Sequence, residues 1–369
     1  MKSYWPTLCL ILICSCVTTV YAQKKEGEID PQKVQDLREK RRQGKVLTPE
    51  EAAYLQRAIE ERKKFIEAFK QAHPPRDSTG LVALIDLGKG VYKDQEGGLY
   101  PGGENVPPAA HLKAGLKLAG QIVPLDGEGR PSKDGKIVFV SIGMSNTTQE
   151  FQAFERLAEA DPEINPYLVI VDGAQGGQSA EVTVNPNANF WRVIDERLTR
   201  AGVTPRQVQT AWIKQAIQLP NRPFPEEVKV LQGHLLTNLH ILADRFPNLK
   251  MAYLSSRIYG GYAEAPLNPE PHAYESGFAV KWLIVDQIAG KSELNDDPEK
   301  GTVRSPWLAW GPYLWADGAR GRSDGLTYLR KDLADDGTHP SVSGREKVAA
   351  QLLAFLKSDP TARLWFVKK

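Results

Sequence analysis

Short apolar runs alternate with longer amphipathic segments over residues 137–369. The runs predict five strands, at Ile137–Ile142, Tyr167–Val171, Val208–Ile213, Lys250–Ser255 and Trp307–Trp310. Apolar residues at helical spacing predict helices near 147–160, 187–201, 225–246, 274–290 and 342–357. The first two runs are continuously apolar, which is typical of parallel strands covered on both faces. This alternation predicts an α/β domain, three-layered and doubly wound around a parallel sheet of about five strands.

The chain before residue 137 has a different pattern. Residues 23–80 are rich in charge and predict a helical extension, which is either a partner-binding arm or a segment packed on the main body. A polar helix is predicted over residues 31–43, and Thr48-Pro49-Glu50-Glu51 is a helix start with a capping box. Apolar residues follow it at helical spacing, at Leu55, Ile59, Ile66 and Phe69. Residues 81–136 are rich in glycine and proline and predict a loop-dominated connection, with one helix near His111–Gly120.

Residues 1–22 have the pattern of a secretory signal peptide. Lys2 precedes an apolar run from Leu8 to Val17, and Val20-Tyr21-Ala22 is a cleavage site of the usual kind. The run is shorter than the roughly 20 residues that span a bilayer, so we expect a secreted or periplasmic protein without a transmembrane span. Lipid attachment at Cys16 is the alternative interpretation. All three cysteines lie in this segment, so the remaining chain offers no disulfide, thiolate site or cysteine nucleophile.

Composition and charge exclude several classes of protein. The 369 residues are 41% hydrophobic and 25% charged, which is ordinary globular composition. Lys plus Arg is 47 and Asp plus Glu is 45, a net charge of +2, so nucleic acid is not the expected partner. The six histidines have no H-x-x-x-H spacing and lie near no carboxylate cluster. We therefore predict no metal site and no cofactor.

Two motifs place reactive side chains at the ends of predicted elements. Ser145, in Gly143-Met144-Ser145-Asn146-Thr147, follows the first strand and precedes a helix, where N–H groups favour developing negative charge. That suits a serine nucleophile, although Ser145 or Asn146 could instead cap the helix. Asp336 and His339 precede the last helix, and a carboxylate three residues from a histidine can orient the imidazole. The alternative for that motif is an exposed turn in which Ser341 caps the helix.

Two further strand ends carry weaker signals. The second strand runs into Asp172-Gly173-Ala174-Gln175-Gly176-Gly177-Gln178-Ser179, where adjacent glycines let backbone N–H groups approach a ligand. The alternative there is an ordinary flexible turn, and the run does not match the dinucleotide-binding pattern G-x-G-x-x-G. The third strand ends in Lys214-Gln215, whose side chains either enter the same crevice or are solvated. Ligands of doubly wound folds bind at these carboxyl ends.

Taken together, the four motifs over about residues 135–358 resemble the SGNH (GDSL-like) hydrolase superfamily. The resemblance implies a flavodoxin-like fold with Ser145 as nucleophile, His339 as general base and Asp336 as the group that orients His339. It also implies an oxyanion hole made by the N–H groups of Ser145 and Gly177 and by a third side chain. The sequence departs from the family pattern at Met144, where aspartate is usual, and at Lys214-Gln215, where asparagine is usual. Gln215 is the candidate replacement donor.

The expected activity is that of a secreted serine esterase that forms an acyl-enzyme. By resemblance, the expected partner is an acylated carbohydrate or another small ester, most simply an O-acetyl ester. Candidate substrate contacts are Asn146 and Gln178, which lie in the first two motifs, and the aromatic residues Tyr259 and Trp315. Aromatic side chains after the fourth and fifth strands can stack on sugars or belong to the core. The alternative function is a non-catalytic glycan-binding protein on the same fold.

Overall fold

A computed structural model describes residues 29–368. The described chain divides into two compact units between residues 65 and 66. The predicted signal peptide and lipid-attachment site fall outside the described residues. None of the described helices combines the length and apolar character needed to cross a membrane.

The helices and strands that the sequence predicted lie close to their predicted positions, and three four-residue helices and two short strands occur in addition. The helices are α1 (Pro31–Arg42), α2 (Pro49–Ala72), α3 (Leu84–Leu87), α4 (Ala109–Ala119), α5 (Ser145–Glu159), α6 (Ala180–Thr183), α7 (Asn189–Arg200), α8 (Glu226–Arg245), α9 (His272–Ile288), α10 (Val342–Ser358) and α11 (Arg363–Phe366). The strands are β1 (Val91–Tyr92), β2 (Gln95–Glu96), β3 (Ile137–Gly143), β4 (Leu168–Val171), β5 (Val208–Lys214), β6 (Met251–Leu254) and β7 (Trp307–Trp310). Short 3₁₀ turns occur at Pro101–Gly103, Pro205–Gln207, Ser292–Leu294, Pro298–Lys300 and Arg330–Asp332.

In the first unit, the helix start predicted at Thr48 is present. The Thr48 N–H donates to the Glu51 carboxylate at 2.9 Å, and the Glu51 N–H donates to Thr48 Oγ1 at 3.2 Å, so the capping box is complete. An ion pair between Lys40 and Glu51, at 2.6 Å, ties α1 to α2. Leu37 and Leu55 are buried. The division of the chain before residue 137 into an extension and a connection remains a prediction.

The second unit contains the predicted α/β architecture. Its main sheet has five parallel strands in the order β4-β3-β5-β6-β7, which is the 2-1-3-4-5 order of flavodoxin-like folds. Helix α5 packs on α10, and α8 packs on α9. The order reverses at β3, and right-handed crossovers therefore put α5 on one face and α8 and α9 on the other. The small antiparallel pair β1–β2 was not predicted, because two-residue strands leave no periodicity to detect.

The core lies on both faces of the main sheet. Strands β3, β5, β6 and β7 are buried along their whole length, whereas the edge strand β4 is only partly buried. That distribution explains why apolar runs, rather than alternation, marked these strands in the sequence. The strand order reverses between β3 and β5. Crevices for ligands form at such a reversal, outside the carboxyl ends of the strands.

Candidate active site

Ser145 lies at the carboxyl end of β3, as the first residue of α5. The helix begins two residues earlier than predicted, and neither Ser145 nor Asn146 is its cap. Gly143 is required just before it, because a Cβ there would lie 2.5 Å from the Lys214 carbonyl oxygen. The N–H groups of Ser145, Asn146 and Thr147 have no acceptor within residues 29–368. Ser145 is therefore placed at a helix start whose N–H groups are free to stabilise negative charge.

Ser145, His339 and Asp336 form one hydrogen-bonded chain. The Oγ atom of Ser145 lies 2.8 Å from His339 Nε2, and His339 Nδ1 lies 2.5 Å from Asp336 Oδ2. Serine and histidine are 194 positions apart in the chain, so only the packing of β3 and the loop before α10 brings them together. This geometry is that of a nucleophile, a base and an orienting carboxylate.

The environment of Asp336 assigns the proton of His339. Burial alone raises the pKa of Asp336, but hydrogen bonds from the His339 ring and from the N–H groups of His339 and Thr338 lower it to about 2. A carboxylate can only accept, so Nδ1 of the neutral imidazole carries the proton and donates it to Asp336. Nε2 is then free to accept from the Ser145 hydroxyl. This is the tautomer that a general base needs.

Two contacts hold the Asp336–His339 loop against the serine. The Asn146 amide donates to the Thr338 carbonyl at 2.9 Å, and Asn146 is buried. Asn146 thus supports the loop through its amide nitrogen, and its expected substrate contact stays a prediction. Gly337 has φ +64°, and a Cβ there would lie 1.7 Å from the Tyr262 carbonyl oxygen. The loop therefore packs on the backbone that follows β6, and Ser341 also caps α10 by accepting from the Gly344 N–H.

The glycine turn after β4 faces the serine through Gly176. A Cβ on Gly176 would lie 3.9 Å from Ser145 Cβ, whereas one on Gly177 would meet nothing within 4 Å. Neither glycine N–H has an acceptor among the described residues. Gly176 is therefore the better candidate oxyanion donor, and Gly177, at φ +75°, makes the turn that presents it. Sequence spacing alone could not separate two adjacent glycines.

The predicted third oxyanion donor is not found at the end of β5. The Gln215 amide donates to the Gln178 carbonyl at 3.1 Å and lies 3.4 Å from Thr183 Oγ1. Gln215 is buried and supports the glycine turn from behind, so its predicted role as a donor is corrected. The neighbouring Lys214 ammonium is also engaged, because it lies 2.7 and 2.5 Å from the two Glu150 oxygens.

The Lys214–Glu150 pair links β5 to α5 in the interior. Both side chains are 0% exposed. Burial lowers the pKa of Lys214, and the adjacent Glu150 carboxylate opposes that change. Each of these charges can remain buried away from solvent only because the opposite charge beside it compensates the lost hydration. Nothing in the sequence indicated Glu150, which lies five positions after Ser145 on the same helix.

Breaking this pair is expected to destabilise the fold strongly. Glu150→Gln should lower the free energy of unfolding by about 3–5 kcal/mol, because it leaves an ammonium buried without a partner. Urea unfolding followed by circular dichroism measures this change. The control is Glu196→Gln in the exposed i,i+4 pair with Arg192, for which a loss below about 1 kcal/mol is expected. Equal small losses in both variants would contradict the buried-pair interpretation, and Glu150→Gln combined with Lys214→Met should recover part of the loss.

Asp172, at the end of β4, is a structural carboxylate that sequence analysis did not separate from the glycine run. Its Oδ1 accepts from Ser141 Oγ at 2.7 Å and from the Ala174 N–H at 3.1 Å. Its Oδ2 accepts from Thr148 Oγ1, and from the Gln152 amide at 3.2 Å. Asp172 therefore ties β3, β4 and the first turns of α5 together beside Ser145.

The two predicted aromatic substrate contacts are wrong. Tyr259 is 1% exposed, and its hydroxyl donates to the Arg76 carbonyl at 2.7 Å. Trp315 is 0% exposed, and its indole N–H donates to Glu270 at 2.7 Å. Both rings belong to the core, so neither presents a face to a ligand. Gln178 is partly exposed beside the glycine turn, and its substrate contact stays a prediction.

No group of three histidine, cysteine or acidic side chains suited to a metal ion occurs within residues 29–368.

In comparisons with known proteins, no family model and no curated protein matches this chain. Among solved structures, it is similar to the crystal structure of protein YxiM from Bacillus subtilis, with 13% identity and a TM-score of 0.33. The match covers 62% of this chain and 57% of YxiM, so the chain spans less than two thirds of that neighbour. A likeness this weak carries no argument about fold or function.

Proposed function

We propose that this protein is a serine ester hydrolase of the SGNH (GDSL-like) type. The observation that carries the proposal is the chain of hydrogen bonds from Ser145 Oγ through His339 to Asp336, at 2.8 and 2.5 Å. It lies at the carboxyl end of β3, where the strand order reverses and ligands bind in this class of fold. Ser145 is half-buried, so a substrate can reach it.

The reaction follows from the roles of these groups. Ser145 Oγ attacks the acyl carbon while His339 Nε2 takes the hydroxyl proton, and Asp336 stabilises the imidazolium that forms. Collapse of the tetrahedral intermediate breaks the ester bond, and His339 returns the proton to the departing alcohol. Water then attacks the acyl-enzyme with His339 again as base, which releases the acid and restores the Ser145 hydroxyl.

The N–H groups of Ser145 and Gly176 are the proposed oxyanion donors. Both are without acceptors in the described part of the chain, and the two residues approach each other closely. Backbone donors are fixed before the reaction begins, so they stabilise the developing charge without reorganising. The third donor of the family pattern has no equivalent in Lys214 or Gln215, whose side chains bind Glu150 and Gln178. Two donors would therefore serve the reaction.

The second candidate function is a non-catalytic glycan-binding protein. The observation that favours it is the same missing third donor, because losing one donor typically costs about 10²–10³ in rate. Against it stands the intact serine–histidine–aspartate arrangement, which binding alone does not need.

The proposed substrate is an O-acetyl ester on carbohydrate. The support for carbohydrate is the family resemblance and the predicted export of the chain. The buried Tyr259 and Trp315 no longer add to it. We therefore propose ester hydrolysis on the geometry and the sugar on the resemblance.

A serine-directed phosphonate separates the two functions. We expect one covalent adduct per chain, located by peptide mass spectrometry on Ser145, because His339 activates that hydroxyl. His339→Ala should be labelled far more slowly, and protein unfolded in urea should not be labelled at all. Acetate release from p-nitrophenyl acetate and a panel of acetylated polysaccharides then ranks substrates. A folded protein that forms no adduct and releases no acetate would favour the glycan-binding alternative.

A further inference from the structure

Arg257 is a buried cation to which the protein supplies no partner. It is the third residue after β6 and is 2% exposed. Its Nε is fully buried without a hydrogen-bond partner, and its guanidinium makes no ion pair or hydrogen bond within residues 29–368. Only its backbone N–H is bonded, to Ser276 Oγ at 3.3 Å. Arginine is almost never buried unless it is paired.

The other buried cations in the described chain have anionic or carbonyl partners. Lys214 pairs with Glu150, and Lys281 donates to the Glu96 carbonyl at 2.8 Å and to the Gly97 carbonyl. A lysine could also lose its proton to relieve the cost of burial, whereas a guanidinium stays charged. An unpaired buried charge costs several kcal/mol. Arg257 is therefore the one of these three cations that still requires an anion.

The carboxylates nearest Arg257 already have donors of their own. Burial lowers the pKa of Arg257, and the negative charges of Glu150, Glu270 and Asp336 oppose that change through space. None of the three forms an ion pair with it. Glu150 is bound by Lys214, Asp336 by His339, and Glu270 by the Trp315 indole and two backbone N–H groups.

The position of Arg257 associates it with the catalytic chain. Its loop, residues 255–264, starts at the carboxyl edge of the sheet and packs on the loop that bears Asp336. The Glu264 N–H donates to the Asp336 carbonyl at 3.0 Å, and Gly337 touches the Tyr262 backbone. Ser256 Oγ and Thr338 Oγ1, one in each loop, are also buried without partners. The two loops thus hold a guanidinium and two hydroxyls that the protein leaves unused.

We propose that Arg257 binds a carboxylate of the substrate in the crevice beside Ser145. This inference rests on the proposed esterase function and narrows its substrate class to esters that also carry an acid. The planar guanidinium fork matches a carboxylate in two parallel hydrogen bonds, which orients the substrate as well as attracting it. The carboxylate can belong to the alcohol side, as in an acetylated uronic acid, or to the acyl side, as in a hemisuccinate.

Matched substrates test this inference and identify the side that carries the acid. Methyl O-acetyl-galacturonoside is compared with methyl O-acetyl-galactoside, and p-nitrophenyl hemisuccinate with p-nitrophenyl acetate. In one of the two pairs we expect kcat/KM to favour the acid by on the order of 10- to 100-fold. Ratios near one in both pairs, with measurable hydrolysis, would overturn the proposal while leaving the esterase function intact.

Variants assign the preference to the guanidinium. Arg257→Gln should bring the acid-to-neutral ratio of kcat/KM close to one by lowering the value for the acid ester, because the bound carboxylate loses its partner. Arg257→Lys keeps the charge without the fork and should give an intermediate ratio, and it serves if the glutamine variant does not fold. Exposed Arg304→Gln is the charge-matched control and should change nothing. Equal losses on acid and neutral esters would instead make Arg257 a structural charge.

A binding measurement keeps the two proposals distinguishable. If no ester is cleaved, the esterase proposal fails, and calorimetric titration of the Ser145→Ala protein with galacturonate and galactose still reads the carboxylate site. Binding of galacturonate alone, lost when Arg257→Gln is added, would support the site without catalysis. Binding of neither sugar would exclude a carboxylate on the alcohol side, and the same titration with succinate then tests the acyl side. Binding of none of the three compounds, or equal binding of galacturonate and galactose, would overturn the proposal.

Discussion

Replacing Ser145 with alanine is expected to abolish ester hydrolysis. In the structure, Ser145 Oγ is the atom to which His339 Nε2 is hydrogen-bonded, at 2.8 Å. Without it the reaction has no nucleophile, and in serine hydrolases that loss costs on the order of 10⁶ in kcat. Release of p-nitrophenol from p-nitrophenyl acetate by purified wild-type and variant protein measures the effect.

The Ser145→Ala protein should remain folded, because within residues 29–368 the hydroxyl is hydrogen-bonded to His339 alone. Matching circular dichroism spectra and unfolding midpoints would establish this. Ser292→Ala, an exposed serine in a 3₁₀ turn, is the matched control and should keep full activity. Undiminished hydrolysis by a folded Ser145→Ala protein would remove Ser145 from the mechanism and require another nucleophile.

Replacing Asp336 with asparagine is expected to slow turnover by about 10⁴-fold while the fold persists. An amide in place of the carboxylate can donate to His339 Nδ1, which then becomes an acceptor and moves the imidazole proton to Nε2. That tautomer cannot take the proton of the Ser145 hydroxyl. The kcat for the best ester at neutral pH measures the loss, and exposed Asp335→Asn provides the neighbouring control.

The same variant has a second readout, which is the pH dependence of its stability relative to the wild type. Because the pKa of folded Asp336 is lowered from 3.8 to about 2, its carboxylate stabilises the fold above about pH 4, and that contribution disappears as pH falls through 2. The difference in unfolding free energy between wild type and Asp336→Asn should therefore shrink from pH 4 to pH 2. A normal turnover in the variant would exclude Asp336 from the catalytic chain.

Ser145 and Glu150, which lie on the same helix, show which residues of the site could be predicted from the sequence and which could not. Ser145, Asp336 and His339 became candidates because each lies in a local motif at the end of a predicted element, and because these motifs together resemble the SGNH superfamily. Glu150 was not identifiable, since a glutamate within an amphipathic helix has no local feature that distinguishes burial from exposure. Its pairing with Lys214 depends on β5 lying beside β3.

The two aromatic residues predicted to contact sugars show the same limit of prediction from sequence. Tyr259 and Trp315 follow strands at the edge where ligands bind, and this made them candidates for sugar contacts. Whether such a ring faces a crevice or the core depends on the segments packed over it. In the structure those segments include Arg76 and Glu270. The Tyr259 hydroxyl donates to the Arg76 carbonyl, and the Trp315 indole N–H donates to the Glu270 carboxylate.

The sequence by itself determined the α/β class and the five strands of the sheet, because these rest on short-range periodicity, and it made Ser145, Asp336 and His339 candidates through local motifs whose combination resembles the SGNH superfamily. Only the tertiary structure decided that Gly176 rather than Gly177 faces the serine, that Gln215 supports the turn from behind, and that Arg257 is buried without a partner. These are relations between segments tens to hundreds of residues apart. Burial and hydrogen-bond satisfaction are set by which surfaces meet in the folded chain, and no local pattern records them.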